Sequence, residues 1–419
     1  MAGQRAYAVG EVQETYIDTS RPTQASPPNP ARPSRTLVTT ILYPAAGSAS
    51  SGTPQAGATP DRSGAPYPLI MFSHGLGGSP EIYQPLLQQL AAAGFVVAAP
   101  LFPLTNANTP GGTVAGDVIN QPADISFVLT QVLQASNGKG LLTGLVGPTR
   151  VSVAGHSNGA ITTLGLAANT CCRETRARAA VIMAGTTEAF PGGQYDFAKA
   201  PPLLIVHGTD DALIPYEQGV AVFNSAQGPK GLLTVTNGDH GAAAALDGPS
   251  AAVVVRTVLD FLNATLRDDT AAGAQMLRDG QSALTSLHYV AQPGSTETIP
   301  TVPAPTLHLK ASVTPSTGLA GGQHVMVMWS GYTAGKVVNI LECAGSNENL
   351  GDSAACNYTK AALLHPDPTG SGSVQLEIVE GPVGSGTCDA THQGCFIVVN
   401  NASSPDPASS VKLPIAFGS

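Results

Sequence analysis

A serine between two glycines, an acidic turn and a histidine in a later loop are the residues of this chain best suited to covalent chemistry. Residues 155–159 read Gly-His-Ser-Asn-Gly and follow a β-branched apolar run at 149–154. Small residues compatible with a helix come next, so the segment has the strand, sharp turn and helix of a nucleophile elbow. Ser157 is the candidate nucleophile, because a strained turn of this kind exposes the hydroxyl at the end of a strand.

Acyl transfer also needs two N–H groups directed at the oxyanion that develops on the substrate. One is expected from the main chain of Asn158, at the start of the helix that follows the serine. The other is expected from the glycine-rich loop at 73–78, Ser-His-Gly-Leu-Gly-Gly, which follows a short buried strand. Leu76 is the candidate donor in this loop.

Two neighbouring aspartates follow an apolar strand at 202–206. An acid at this turn would hold a histidine in the correct tautomer and stabilise its imidazolium form. Asp211 lies four residues before Pro215, a spacing seen at this turn in many serine hydrolases, which favours Asp211 over Asp210. Asp210 is then expected to be a turn or capping residue.

His240 follows a strand at 232–236 and is the candidate general base. The chain order Ser157, Asp211, His240 is the α/β-hydrolase order. Asp239 is the second choice for the acid, but its adjacency to His240 makes it a poor orienting partner. His74, His156 and His207 are expected to have structural roles. The spacing of histidines, cysteines and acids does not match a zinc site, so neither a metal nor a cofactor is predicted.

Composition excludes some partners. Charged residues make up 11% of the 419 residues and the formal net charge is −9, without a basic cluster, so a nucleic-acid partner is not expected. No apolar run reaches the roughly 18–20 residues that span a bilayer. The first residues lack the apolar core of a signal peptide. Because the cysteine pattern favours an oxidising compartment, we expect a secreted protein whose signal peptide is absent from this sequence.

The six cysteines form three close-spaced pairs. Two pairs, Cys343 with Cys356 and Cys388 with Cys395, lie in a β-rich segment and are predicted to be local disulfides. A zinc site is the alternative, but the segment has no Cys-x-x-Cys pair. Cys171 and Cys172 are adjacent, and either a vicinal disulfide or two thiols fits the sequence.

The pattern of apolar residues divides the chain into three parts. Residues 1–293 alternate strands with helices, predicted at 79–93, 122–134 and 251–266, which indicates a mostly parallel sheet with helices on both faces. Residues 294–305 have the composition of a linker. Residues 306–419 contain six or seven short strands separated by turn residues, which predicts an immunoglobulin-like β-sandwich.

Residues 36 to about 290 resemble bacterial α/β-hydrolases of the platelet-activating-factor-acetylhydrolase-like and dienelactone-hydrolase-like group, which includes cutinase-type polyester hydrolases. The likeness rests on segments at 40–44, 73–78, 155–159, 207–211 and 239–240. Dienelactone hydrolases have a cysteine nucleophile, so Ser157 implies ester hydrolysis instead. Polyester hydrolases usually have an aromatic residue at the position of Leu76 and a methionine at that of Asn158.

Residues 306–419 look like the neocarzinostatin family of small β-sandwich proteins. The likeness rests on segments at 313–319 and 331–335 and on the four cysteines of this region. In that family both cysteine pairs are disulfides and some members bind a small chromophore. The resemblance implies an accessory domain, with binding to a surface or polymer as one role.

Together these patterns predict a serine esterase that hydrolyses carboxylic esters through an acyl-enzyme and needs no cofactor. Its partner would be a small-molecule or polymeric ester. A cutinase-like polyester hydrolase, of the kind that acts on polyethylene terephthalate, is the alternative within the same class. A small-molecule carrier that acts through the C-terminal domain is the alternative from another class.

Overall fold

The computed structural model describes residues 6–26, 28–49, 53–246, 248–300, 309–332, 337–345, 356–357, 360–364, 367, 369–384, 386–392, 394–401 and 410–418. The chain separates into two compact units, the first drawn from residues 1–301 and the second mainly from 302–419.

A ten-stranded sheet forms the centre of the first unit. Its strands are β1 (Ala8–Asp18), β2 (Arg35–Ala45), β3 (Gln55–Ala56), β4 (Tyr67–Ser73), β5 (Val96–Leu101), β6 (Val146–His156), β7 (Ala177–Met183), β8 (Leu203–Gly208), β9 (Lys230–Val235) and β10 (Thr285–Val290). Their order across the sheet is β10-β9-β8-β7-β6-β4-β5-β2-β1-β3. The six strands from β9 to β5 run parallel. The pairs β10–β9, β5–β2 and β2–β1 are antiparallel, and the short β3 pairs parallel with β1.

Helices cover both faces of this sheet. They are α1 (Gln84–Ala92), α2 (Gln121–Asn137), α3 (Asn158–Ala168), α4 (Tyr216–Ser225), α5 (Ala251–Leu266) and α6 (Thr270–Asp279), with short 3₁₀ helices at Ala115–Asn120, Phe197–Lys199 and Ala242–Ala244. Apolar residues of α1 and α5 join one hydrophobic core, and those of α2, α3 and α4 join another. Every residue of β4 and of β8 is buried, as expected for parallel strands packed on both sides. The predicted α/β architecture is therefore confirmed.

The three predicted helices are present, but the start of the first and the end of the second differ, since the one predicted at 122–134 spans Gln121–Asn137. The helix predicted at 251–266 has those bounds, whereas the one predicted at 79–93 begins only at Gln84. Ile82, Leu86 and Leu90 have helical spacing in the sequence, but Ile82 precedes the helix and is 49% exposed. Leu86 and Leu90 are buried.

A buried ion cluster fixes α2 against β2. The Arg35 guanidinium has no exposed surface and lies 2.8 Å from the Asp117 carboxylate and 2.7 Å from that of Asp124. Arg21 adds a second guanidinium, 2.6 Å from Asp124. A buried carboxylate or guanidinium is tolerated only when it is paired in this way. The cluster therefore locates the first turn of α2, which reaches the candidate site through Gln121.

The second unit is antiparallel throughout its three described sheets. Its strands are β11 (Lys310–Thr314), β12 (His324–Ser330), β13 (Val338–Ala344), β14 (Ala362–Leu364), β15 (Gly372–Glu377), β16 (Gly381–Val383), β17 (Gly386–Cys388), β18 (Cys395–Asn401) and β19 (Ser410–Ile415). The sheets have the orders β11-β12-β15, β14-β13-β18-β19 and β16-β17.

One hydrophobic core fills this unit. It combines Val327 and Trp329 of β12 with Ile340 of β13 and Ile397 of β18, so side chains of two sheets pack together as in a sandwich. The sulfur atoms of Cys343 and Cys356, and those of Cys388 and Cys395, lie at disulfide-bonding distance. Cys171 and Cys172 of the first unit are also joined, as a vicinal disulfide. The predicted β-rich C-terminal fold is confirmed.

Part of the predicted linker is bound to the first unit. The ammonium of Lys230 is fully buried and donates to the carbonyl of Glu297, at 2.6 Å, and to those of Phe223 and Ala226. The side chain of Asn224 bonds both main-chain groups of Ile299, at 2.7 and 2.9 Å. Residues 294–300 thus complete hydrogen bonds of buried groups, and we propose a domain boundary after residue 300 rather than after 293.

A shortened chain of residues 1–293 should be less stable than one of residues 1–300. It lacks the Glu297 carbonyl that accepts from Lys230 and the Ile299 main chain that pairs with Asn224. Removing one partner of a buried polar group costs about 1–3 kcal/mol. Urea unfolding of both chains measures the difference, and equal midpoints would show that residues 294–300 contribute nothing.

Candidate active site

Ser157 occupies a strained turn between β6 and α3. Its φ of 58° and ψ of −123° lie where residues with a side chain are rarely found. A Cβ on Gly155 would lie 2.2 Å from the carbonyl oxygen of Gly159, and a Cβ on Gly159 would lie 2.0 Å from that of Ser73. Both flanking glycines are therefore required by close backbone contacts. The elbow predicted from the sequence is present in the fold.

The loop at 73–78 lies directly beside the elbow. A Cβ built on Gly75 would be 3.2 Å from the Cβ of Ser157. The loop is held by bonds from Gly77 N to the carbonyl of Thr105, at 2.8 Å, and from Gly78 N to that of Gly75, at 2.9 Å. Leu76, the predicted oxyanion donor, belongs to this loop and is 39% exposed.

Asn158 is the first residue of α3, where a main-chain N–H has no acceptor within the helix. Its side chain is largely buried, and within the described part of the chain its Oδ1 atom has no hydrogen-bond partner. A polar network lies alongside: Thr162 donates to Gln121, and Gln121 donates to Thr105 at 2.8 Å. Since Thr105 also accepts from Gly77, this network connects the elbow helix to the glycine-rich loop.

Asp211 and His240 are in direct contact. The Nδ1 atom of His240 lies 2.7 Å from Oδ2 of Asp211, whose carboxylate has no exposed surface. Because a carboxylate accepts, Nδ1 carries the proton, and the other ring nitrogen is left as a base. The Nε2 atom of His207 is 3.4 Å from the same Oδ2 atom, so Asp211 touches two histidines.

The other acids near this pair have different positions. Asp210 is exposed and its main-chain N–H donates to the carbonyl of Gly238 at 2.9 Å, which joins the aspartate turn to the histidine loop. A Cβ on Gly208 would lie 2.1 Å from that same carbonyl. Asp239 is exposed and accepts from the N–H of Ala242. Asp211 is thus the acid whose carboxylate meets the His240 ring.

His156 connects the elbow to the loop that bears His240. Tyr83 connects His156 to the glycine-rich loop. The Nε2 atom of His156 lies 2.9 Å from the main-chain carbonyl of His240, and the two rings are 4.6 Å apart. The hydroxyl of Tyr83 lies 2.9 Å from Nδ1 of His156 and 3.0 Å from the main-chain nitrogen of Gly75. No sequence motif pointed to Tyr83, which precedes α1.

Burial keeps two of these histidines neutral. It lowers the pKa of His156 to about 3, with a smaller contribution from the charge of His240. It lowers the pKa of His74 to about 4. His74 approaches the Gly75 carbonyl through Nδ1 and accepts from the N–H of Phe102 through Nε2, so it holds the loop as predicted.

Among the described residues, histidines, cysteines and acids do not cluster in a way that would hold a metal ion. Within the same ranges, the helices are all too short or too polar to cross a membrane.

The sheet order and the elbow at the end of β6 define the first unit as an α/β-hydrolase domain. Residues 39–187 match the chlorophyllase family, a range that includes the glycine-rich loop and the elbow but ends before Asp211 and His240. Residues 311–416 match the neocarzinostatin family. The chain thus carries a chlorophyllase-like hydrolase domain followed by a neocarzinostatin-like domain.

Two individual proteins are similar to parts of this chain. Actinoxanthin from Streptomyces globisporus is 31% identical over 98 residues, which cover 22% of this chain and 66% of that protein. The structure of a ferulic acid esterase from Streptomyces cinnamoneus superposes with a TM-score of 0.50 at 22% identity, over 64% of this chain and 92% of its own. The latter likeness shows the fold alone. The match of residues 39–187 to the chlorophyllase family supports a carboxylic ester hydrolase.

The buried His156 should make stability depend on acidity. The unfolded chain binds a proton at this histidine below about pH 6.5, whereas the folded chain does so only near pH 3. Its stabilising contribution is therefore complete above pH 6.5 and is lost as the pH falls toward 3. Each such group changes the free energy of unfolding by up to about 1.4 kcal/mol per pH unit.

Urea unfolding of the wild type and of His156→Gln between pH 4 and 6 measures this effect. The free energy of the wild type should fall more steeply with acidity than that of the variant. Parallel curves would mean that His156 is not held neutral by burial.

Proposed function

We propose that the chain is a serine esterase that hydrolyses carboxylic esters through an acyl-enzyme, with Ser157, His240 and Asp211 as its catalytic residues. The observation that carries this proposal is the 2.7 Å bond between the buried carboxylate of Asp211 and His240. The main chain of His240 also contacts His156, the residue before Ser157. A strained elbow and an oriented imidazole are the two parts that covalent acyl transfer requires.

The reaction begins when Ser157 Oγ attacks the ester carbonyl and His240 Nε2 takes the hydroxyl proton. The N–H groups of Leu76 and Asn158 bind the resulting oxyanion. Collapse of this intermediate breaks the ester C–O bond, and the imidazolium gives its proton to the departing alcohol. A water molecule then repeats the sequence on the acyl-enzyme, which releases the acid and restores Ser157.

Asp211 acts on His240 without taking its proton. Its carboxylate accepts from Nδ1–H, which leaves Nε2 without a proton and able to take that of the serine, and it stabilises the imidazolium in the transition state. A second contact to the same Oδ2 atom, from Nε2 of His207 at 3.4 Å, further restrains the carboxylate. A carboxylate buried in this way interacts more strongly with the imidazolium than an exposed one would.

For the second unit we propose a separate accessory domain that binds a surface, a polymer or a small molecule. Its own hydrophobic core and its match to the neocarzinostatin family support an independent fold. The cysteine pairs at bonding distance support an extracellular protein, since disulfides persist in oxidising compartments.

The Ser157→Ala variant should lose at least 10³-fold in kcat on p-nitrophenyl esters and should no longer react with a fluorophosphonate probe, because the nucleophile is gone. The control is Ser152→Ala, which removes a buried serine hydroxyl on β6, the strand that leads to the elbow. A panel with a hydroxycinnamate ester, an amide and a polyester film measures the substrate class.

Two results would contradict this assignment. Activity of Ser157→Ala within about tenfold of the wild type would exclude Ser157 as the nucleophile. A folded wild type that hydrolyses neither esters nor amides, and that ignores the fluorophosphonate, would leave the carrier function as the better explanation.

Asp211→Asn should reduce kcat about 10³–10⁴-fold, because an amide at this position favours the wrong imidazole tautomer. Asp210→Asn is the matched control and should stay within about threefold of the wild type, since this carboxylate is exposed. Steady-state kinetics of the two variants on one soluble ester compares them. A larger loss in Asp210→Asn would reverse the two roles.

A further inference from the structure

We propose that Tyr83 and His156 form a hydrogen-bonded bridge that positions the glycine-rich loop and His240 relative to each other, and that Tyr83 is a positioning residue for the reaction. This inference rests on the proposed function. The bridge runs from Gly75 through Tyr83 and His156 to His240, with contacts of 3.0, 2.9 and 2.9 Å.

The direction of each hydrogen bond in the bridge follows from its two ends. The main-chain carbonyl of His240 can only accept, so Nε2 of His156 carries the proton. In the neutral ring, Nδ1 is then an acceptor, and the hydroxyl of Tyr83 donates to it. The Tyr83 oxygen remains free to accept from Gly75 N–H, which can only donate. With His156 neutral, only one arrangement of protons satisfies all three contacts.

Burial preserves that arrangement over the working pH range of an esterase. Tyr83 is 3% exposed and His156 is 4% exposed. Burial raises the pKa of the Tyr83 phenol to about 12, so it stays a donor. Burial lowers the pKa of His156 to about 3, so its Nδ1 stays an acceptor. The bridge therefore does not take part in proton transfer and acts through geometry.

The two ends of the bridge are attached to the two parts that must be aligned with Ser157. Gly75 precedes Leu76, the proposed oxyanion donor, and lies against the Ser157 Cβ. At its other end, the bridge reaches the main-chain carbonyl of His240. Oxyanion donors and general base must be held to within about 0.5 Å of their productive positions. A single chain of hydrogen bonds, buried at Gly75 and Tyr83 and partly buried at His240, sets both distances from the elbow.

Packing alone does not account for the tyrosine hydroxyl. The Tyr83 ring packs on Phe72, with ring centroids 4.9 Å apart, and a phenylalanine would keep this contact. What a phenylalanine loses is the acceptor for Gly75 N–H and the donor for His156. The substitution Tyr83→Phe therefore removes the hydrogen bonds of the bridge while it keeps the packing of the ring in the hydrophobic core.

The decisive comparison is between Tyr83→Phe and the control Tyr67→Phe. Tyr67 is equally buried, and its hydroxyl donates to the Asp61 carbonyl at 2.9 Å, outside the bridge. We expect kcat of Tyr83→Phe to fall about 10–100-fold with KM within threefold, because the oxyanion N–H is misplaced. Tyr67→Phe should keep kcat within about twofold. Thermal unfolding of both variants monitors folding.

A second variant tests the other half of the bridge. His156→Gln keeps a donor for the His240 carbonyl but offers Tyr83 a differently placed acceptor. Its loss in kcat should be strongly non-additive with that of Tyr83→Phe, since either change breaks the same chain. The acid limb of the pH profile should also move in His156→Gln, because the position of His240 changes. If Tyr83→Phe does not fold, His156→Gln provides the test.

Several outcomes would overturn the bridge. These are a kcat of Tyr83→Phe within twofold of the wild type, equal losses in Tyr83→Phe and Tyr67→Phe, or additive effects of Tyr83→Phe and His156→Gln. Nitrogen-15 NMR of the wild type gives a test independent of activity, and a His156 ring protonated at Nδ1 would also exclude the bridge. If the wild type lacks esterase activity but NMR finds the Nε2–H tautomer, the proposed function fails while the hydrogen-bonded chain stands.

Discussion

The site depends on one backbone contact, in which the elbow helix begins directly against the end of β4. A Cβ on Gly159 would lie 2.0 Å from the carbonyl oxygen of Ser73. Because no side chain separates these segments, the serine turn and the glycine-rich loop are held at a fixed distance. The positive φ of Ser157 is a strain that such close packing can hold. The remaining contacts of the site orient side chains around the serine turn and the glycine-rich loop.

Positions that depend on local backbone geometry could be predicted from the sequence. Ser157 lies in a motif whose glycines indicate a tight turn, and Asp211 and His240 each follow a buried strand of a parallel sheet. The carboxyl ends of parallel strands meet at one edge, and Asp211 and His240, 29 positions apart, come together there. The repeat of apolar residues was likewise sufficient to predict α5 and the buried strands.

Features that arise from tertiary contacts could not be predicted in this way. Tyr83 meets His156 only because the turn before α1 folds over the elbow, and 73 residues separate them in the chain. The same turn places Ile82 outside the helix, which the helical spacing alone did not indicate. Residues 294–300 have the composition of a linker, and their attachment depends on Lys230 and Asn224, which are distant in sequence.

The attachment of residues 294–300 also has a mechanical meaning. Lys230 is the first residue of β9, and the loop that bears His240 leaves the other end of this strand. A pulling force on the chain beyond residue 300 would load the bonds of Lys230 and Asn224 before any other part of the first unit. Such tension would therefore reach the sheet at the start of β9, at the opposite end of the strand from the loop of His240. Drag on anything fastened to the far end of the chain would act first on these bonds and only then on the proposed catalytic residues.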